Sequence, residues 1–459
     1  MSHIVGDEDA SLSVHLEDIQ KRRYMTTLPV SSLICRMSVP TIIVMLATSL
    51  YNLADSFFVG HLGTSAIAAV GVVFPLMAII QAMGFFFGHG TGIFLSKALG
   101  AGNYSQASTM ASTGVISAFL CGCVLALTGL ISAKPLASLC GATATVFPFA
   151  YDYMFFILLG APWILTSLTM NNLLRYHGSP LYGMIGILAG VILNIGLNPF
   201  FIFVLGLGIK GSAIATMVSQ FLSFIILILA CSKHEATRIR LAAFSPSASL
   251  YKDIIKGGMP SLFRQSFASI ASICLNNSAA LFGDAAIAAI SVVQRILIFA
   301  ASVITGFGQG FQPVCGYNFG AKLYGRAKEA FFFCLKVSIP VLLVFSVLIF
   351  NFAEDVIRLF RKDDAELVEI GAFYIRLQSF TLPLMGFVIL TNMLLQSTGH
   401  AVKAALMAVS RQGLFLLPIL FTLTPKFGLL GMQLSQPLAD LCAFLLCVPL
   451  GLSELKKWK

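Results

Sequence analysis

Charge is what this sequence has least of. Of 459 residues only 10% are Asp, Glu, Lys or Arg, while 58% are hydrophobic. Soluble domains carry about 25% charged and about 45–50% apolar residues, so a water-soluble enzyme and a disordered chain are both excluded. Short alternating segments of the barrel kind are missing. There is no CxxC and no His/Cys spacing for a metal, so Cys35, Cys121, Cys123, Cys140, Cys231, Cys274, Cys315, Cys334, Cys442 and Cys447 read as small hydrophobes among helices. An HExxH is also lacking, and His61, His89, His177 and His400 stand isolated near span ends, so no enzyme is expected. The first 30 residues contain no compact apolar stretch of the signal-peptide kind.

What the chain does have is length of apolar run. Spans of the roughly 20 residues needed to cross a bilayer are read near 34–60, 65–93, 107–131, 145–173, 181–205, 211–232, 258–282, 286–315, 328–352, 367–397, 402–424 and 428–451. The expected fold is an all-α integral membrane protein of twelve transmembrane helices. Lys21-Arg22-Arg23, the 233–257 connection, Lys322, Arg326, Lys328 and the 453–459 tail then fall on one side. The other side has Lys134, Lys210, Arg358, Arg361, Lys362 and Lys426, with Glu354, Asp355, Asp363 and Asp364 in its longest loop. The positive-inside rule places both termini and the central loop in the cytoplasm of a cell-membrane protein. The net charge of +10 is thus explained by orientation, and no nucleic-acid partner is expected.

The halves repeat. Shifting the chain by 220 residues aligns Pro40 with Pro260 and continues without a gap to Ala107 and Ala327. Gly63, Phe87-Gly88, Gly100-Ala101, Tyr104, Gly208 and Gly211 meet Gly283, Phe307-Gly308, Gly320-Ala321, Tyr324, Gly428 and Gly431. Chance matching of apolar residues does not keep glycine and proline in register. Six spans per half is an even number, so the halves enter from the same side and are related by an axis along the membrane normal. Parallel repeats of this kind are a transporter arrangement. The expected organisation is an N-terminal segment 1–33, a first lobe 34–232, a connection 233–257, a second lobe 258–452 and a tail 453–459.

Ionisable residues inside spans mark function. Asp55, in Tyr51-Asn52-Leu53-Ala54-Asp55, lies in the outer part of the first span. A desolvated carboxylate there takes up a proton or accepts a cation. Asn194 and Asn198 are four apart and share a helix face, ahead of Pro199. Thr216 is a further oxygen-ligand candidate. Pro40 bends the first span, as a static kink or as a hinge. In the second half Arg264-Gln265 and Gln294-Arg295 look the most deeply placed, with Asp440 in the last span. These are candidate polar or substrate contacts, with structural pairing the blander alternative. Asp152 reads as interfacial.

These marks resemble the multidrug and toxic compound extrusion (MATE) family, in its DinF-like branch and its MepA-like group. The resemblance covers nearly all of residues 30–450. It rests on Ser38-Val39-Pro40, Tyr51-Asn52-x-x-Asp55, Leu193-Asn194-Ile195-x-Leu197-Asn198-Pro199, Gly208-Ile209-Lys210-Gly211 through Thr216, and Gly258-Met259-Pro260 with Arg264-Gln265. It implies two six-helix lobes and antiport of organic, mainly cationic or amphipathic compounds against H⁺ or Na⁺. No other cofactor is implied. Carried over by motif, the coupling ion falls on Asp55, Asn194, Asn198 and Thr216, and the bend on Pro40. The branch often has Asp where this chain has Asn198. A single carboxylate neutralises a bound Na⁺ less well, so the balance tips slightly to H⁺, with Na⁺ next. The expected partners are small-molecule drugs and the lipid bilayer, with a functional monomer. The alternative reading is a flippase for lipid-linked precursors from the same superfamily, kept open by the second-half basic residues. A passive channel is the remaining rival.

Overall fold

The computed structural model describes residues 17–140, 142–359 and 364–458. Residues 1–16, Arg361, Lys362, Asp363 and Lys459, used above for domain limits and charge balance, lie outside the described residues.

A short helix α1 (17–27) precedes α2 (Val30–Gly60), α3 (Thr64–Ala101), α4 (Tyr104–Ile131), the brief α5 (Ala133–Leu139), α6 (Phe147–His177), α7 (Pro180–Pro199) and α8 (Ile209–Cys231). The second half repeats the series as α9 (Ala248–Ala280), α10 (Asp284–Gly320), α11 (Tyr324–Asn351), the brief α12 (Ala353–Arg358), α13 (Ala365–Ser397), α14 (Ala401–Val409) and α15 (Leu416–Lys456). Among the described residues ten stretches are long and apolar enough to cross a membrane. One of these, Ala401–Lys456, leaves the helix at Gly428 (φ 59, ψ −137) and makes two crossings. The twelfth crossing is α9, less apolar because it carries Lys252, Asp253, Lys256 and Arg264. Bulky residues left exposed, such as Leu120, Val124, Leu127 and Ile131 along α4, suit a lipid surround.

Several helices overrun the predicted spans on the side of the chain ends. α3 continues to Ala101, α10 to Gly320, and α9 starts at Ala248, inside the 233–257 connection. Hydropathy marks only the apolar part of a helix. Its ends are set by caps, here Asn103 accepting from the Gln106 N–H and Ser247 accepting from the Leu250 N–H.

The duplication extends to backbone conformation. Gly208 (φ 58, ψ −136) matches Gly428, and Gly63 (φ 104, ψ 173) matches Gly283 (φ 96, ψ 174). Gly102 (φ 80) corresponds to Lys322 (φ 60), the one described residue other than glycine with positive φ. A Cβ in that region costs roughly 1–2 kcal/mol. Lys322→Gly is therefore expected to stabilise the protein by about 1 kcal/mol, read as a higher unfolding temperature in detergent. An unchanged or lowered midpoint would show that the turn is not strained.

The seam between the lobes follows the same symmetry. A Cβ on Gly100 would lie 2.1 Å from the Tyr317 carbonyl oxygen, and one on Gly320 would lie 2.1 Å from the Lys97 carbonyl oxygen. These contacts exchange under the 220-residue shift, so the pseudo-twofold axis runs between α3 and α10. Across the seam Ser38 Oγ donates to the Phe307 carbonyl (3.0 Å), Thr41 Oγ1 to the Gly306 carbonyl (2.7 Å) and Tyr317 OH to the His177 carbonyl (2.8 Å). One apolar core, with Ile34, Leu95 and Leu173 from the first half and Phe311, Val314 and Phe331 from the second, joins the lobes there. Toward the other face each lobe has its own core, around Tyr153 and Leu158 in one and Ile290 and Ile357 in the other. The lobes are thus sealed together on the side of the chain ends.

Candidate functional site: a buried carboxylate cluster

Asp55 sits in the last two turns of α2, and its helix faces α7 and α8 inside the first lobe. Its Oδ1 accepts from Ser212 Oγ (2.8 Å) and Asn198 Nδ2 (3.2 Å), and its Oδ2 accepts from Tyr153 OH (3.4 Å). Asn198 Nδ2 also donates to Asn194 Oδ1 (2.8 Å), and Asn194 Nδ2 donates to Thr216 Oγ1 (3.2 Å). Tyr51 OH closes the chain, 3.2 Å from Thr216 Oγ1. The four residues singled out in the sequence are therefore one continuous hydrogen-bonded network.

Local sequence explains the placement. Tyr51 and Asp55, Asn194 and Asn198, and Ser212 and Thr216 are each one helical turn apart, so each pair shares a face. Pro199 ends α7 and cannot donate a backbone hydrogen bond; a π-turn, Phe200–Val204, follows it. Such turns often lie at functional sites. Asp55 is only 6% exposed and Asn198 is fully buried. Among the described residues no cationic side chain pairs with this carboxylate. Asn198 Oδ1 is buried without a hydrogen-bond partner. An unsatisfied buried acceptor costs about 1–3 kcal/mol. Beside an unpaired carboxylate, it makes a site short of positive charge, suited to a proton or a small cation.

Tyr153 and Ser212 were not foreseen. They lie 98 and 157 residues from Asp55; Ser212 could have been found one helical turn before Thr216 in the same run, whereas nothing in its own segment marks Tyr153. Shifted by 220, Asp55, Ser212 and Thr216 become Leu275, Met432 and Gln436. The cluster therefore has no copy in the second lobe.

Pro40 lies within α2, flanked by Ser38 and Thr41, whose hydroxyls bond α10 across the seam.

The second-half candidates separate. Asp440 is paired with Arg411 (Nε to Oδ1, 2.6 Å) and also accepts from Gln436 (2.8 Å) and Thr381 (3.4 Å). Gln294 accepts from Ser272 (3.3 Å) and lines, with Arg411 and Gln436, a cavity of about 170 Å³. Arg264 lies apart, donating to Asn392 Oδ1 at 3.5 Å, and Gln265 is half-buried one position along. Arg295 is corrected: it is exposed, because it projects from the face of α10 opposite Val293. The histidines are corrected too. His89 Nε2 contacts Arg175 (3.2 Å), His177 bonds Asp18 (2.8 Å) and His400 pairs with Glu454 (3.0 Å). Arg175, missed in the sequence, is fully enclosed at the seam and donates to the Gln309 carbonyl (2.8 Å) and Gln312 Oε1 (3.1 Å).

Breaking a buried ion pair from one side costs about 3–5 kcal/mol. Arg411→Met is expected to lower the unfolding temperature strongly, and Asp440→Asn added to it to restore most of the loss. If the double variant is no more stable than Arg411→Met, the pair is not coupled.

Comparisons with known proteins bear on the family and the fold. The MatE family model matches residues 40–200 and 260–422, one copy in each half. The multidrug export protein MepA of Staphylococcus aureus (strain MRSA252) is 30% identical over 425 residues, 92% of this chain and 93% of that protein. Among solved structures, a MATE in complex with MaL6 superimposes with a TM-score of 0.90 at 26% identity, covering 95% of this chain and 98% of that one. An outward-facing multidrug resistance MATE transporter of the MOP superfamily gives 0.89, with the same identity and coverage. With the family model matching both halves and the two lobes joined about a pseudo-twofold axis, the chain belongs to the MATE family of transporters.

Proposed function

We propose that this protein is a secondary active multidrug efflux antiporter. It exports organic, mainly cationic or amphipathic compounds in exchange for H⁺, or for Na⁺, from a cell membrane in which both termini face the cytoplasm. The observation that carries the reading is Asp55: a carboxylate shut inside one lobe, held by neutral donors, with an unpartnered amide oxygen beside it. Export is the role that the name of the MepA relatives gives them.

With the seal on the cytoplasmic side, the cleft between the lobes opens outward. The coupling ion enters from outside and loads at Asp55, with Asn194, Asn198 and Thr216 completing its surroundings. Loading removes the negative charge and relaxes the hydrogen bonds that tie α2 to α7 and α8. The change passes along α2 to Pro40, where the helix bends at the seam. The bend disfavours the drug-bound outward state, so the drug leaves. The membrane potential supplies about 2.3 kcal/mol per charge per 100 mV, enough for a concentration ratio of about 40-fold at tenfold per 1.4 kcal/mol. The protein works as a monomer in this scheme and contributes to antibiotic resistance.

A flippase for lipid-linked precursors would need free cations in the cleft. Arg411 is committed to Asp440 and Arg376 to Glu354 (3.2 Å), which supports the antiporter, whereas Arg264, Arg295 and Lys336 have no carboxylate partner among the described residues and keep the flippase as the second reading. The test is transport of cationic dyes by proteoliposomes under imposed gradients. An inward-directed H⁺ gradient is expected to drive efflux, and a Na⁺ gradient to do so less well. Dye flux indifferent to both gradients would overturn the reading.

A further inference from the structure

We propose that Asp18, His177 and His234 form a binding site for a divalent transition-metal ion, with the chemistry of zinc, that fastens helix α1 to the ends of α6 and α8. The three come from separate elements: α1, the last residue of α6 and the connection after α8. One ligand atom from each lies within 4.8 Å of the others, and all three residues are buried.

The first two are already oriented as ligands usually are. His177 Nε2 is 2.8 Å from Asp18 Oδ1, while its Nδ1 contacts Ser179 Oγ (3.2 Å). Asp18 Oδ2 accepts the Ala236 N–H (3.0 Å). The third is the independent sign. His234 is only 8% exposed, yet neither ring nitrogen has a hydrogen-bond partner. Its ring lies 4.5 Å from that of His177. The Glu17 carboxylate stands 3.3 Å from His234 Nδ1 without making a hydrogen bond, and Nε2 has nothing; a buried imidazole so placed is costly, and a bound cation gives one of its nitrogens a partner.

Two imidazoles and a carboxylate are a zinc donor set. Glu17, whose Oε2 is 3.3 Å from His234 Nδ1, or a water, takes the fourth position. At bond lengths of about 2.0–2.1 Å, tetrahedral ligands sit about 3.3 Å apart. The His177–Asp18 contact therefore opens slightly as the metal replaces their shared proton, and His234 closes in. Asp18 and Glu17 balance the two charges. The nearby Lys21 and Lys233 turn onto the rings of Tyr24 (5.8 Å) and Tyr182 (4.7 Å). An open groove of about 880 Å³ bordered by Glu17, Lys21, Tyr182 and His234 gives access. The other lobe supplies the contrast: Glu454, which the 220-residue shift places on His234, is already neutralised by Lys403 (3.0 Å), His400 (3.0 Å) and Lys457 (3.6 Å).

The test uses untagged full-length protein in detergent, stripped with chelator and then equilibrated with Zn²⁺. Bound metal is counted by mass spectrometry and stability is followed by thermal unfolding. One zinc per chain and a rise in unfolding temperature are expected. His234→Gln, which removes no hydrogen bond seen in the structure, and Asp18→Asn should each weaken binding at least tenfold, while His400→Gln leaves it unchanged. Absence of stoichiometric zinc, or equal binding by a folded His234→Gln, would overturn the proposal.

Discussion

Asp55→Asn is expected to abolish gradient-driven efflux, reducing dye export in proteoliposomes to the rate of protein-free vesicles, while drug binding persists. The substitution keeps the shape of the side chain, and an amide oxygen still accepts from Ser212 or Tyr153, so the lobe folds. What it removes is the capacity to change charge. An amide does not take up a proton near neutral pH and offers a cation no neutralising charge, so both coupling modes fail together. In the proposed scheme the drug binds between the lobes, whereas Asp55 is buried inside one of them. Retained gradient-driven transport by this variant would remove Asp55 from the mechanism.

Gly310→Ala is expected to shift the resting conformation away from the sealed state. A Cβ at Gly310 would stand 2.6 Å from the backbone nitrogen of Ser38, in the other lobe. Backbone cannot move aside as a flexible side chain can, and overpacking of this kind costs about 1–3 kcal/mol. Two kcal/mol corresponds to roughly a 30-fold change in the population ratio. Because the clash exists only where the lobes meet, the cost falls on one conformation and not on the fold. Distances between spin labels on the two lobes, in a cysteine-free background, should lengthen on the side of the chain ends. Gly114→Ala is the control. Its Cβ would meet Thr91 of the same lobe at 2.0 Å, so it should lower folding yield without moving the lobes. An unchanged distance distribution for Gly310→Ala would mean that the seam has slack.

These two positions differ in how much of their role is legible in sequence. Asp55 stands out because a carboxylate is rare in an apolar span, and the i,i+4 asparagines because periodicity puts them on one face. Gly310 is visible only as the partner of Gly90 in the repeat; that it packs against Ser38 is a fact of the seam. Gln294 and Arg295 are adjacent, and hydropathy treats them alike. One lines a cavity and the other is exposed, because helix rotation against neighbours decides what each faces.

The sequence by itself determined the membrane class, the twelve crossings and the duplication. Each depends on the number of apolar residues between turns and on glycines and prolines recurring at one spacing, and both properties are written along the chain. Tertiary structure alone decided that Tyr153 and Ser212 join Asp55, that Arg411 holds Asp440, and that Asp18, His177 and His234 converge. In lipid, helices choose partners by shape and by a few buried hydrogen bonds. Those contacts link residues as far apart as Asp18 and His234, a separation at which local pattern carries no information.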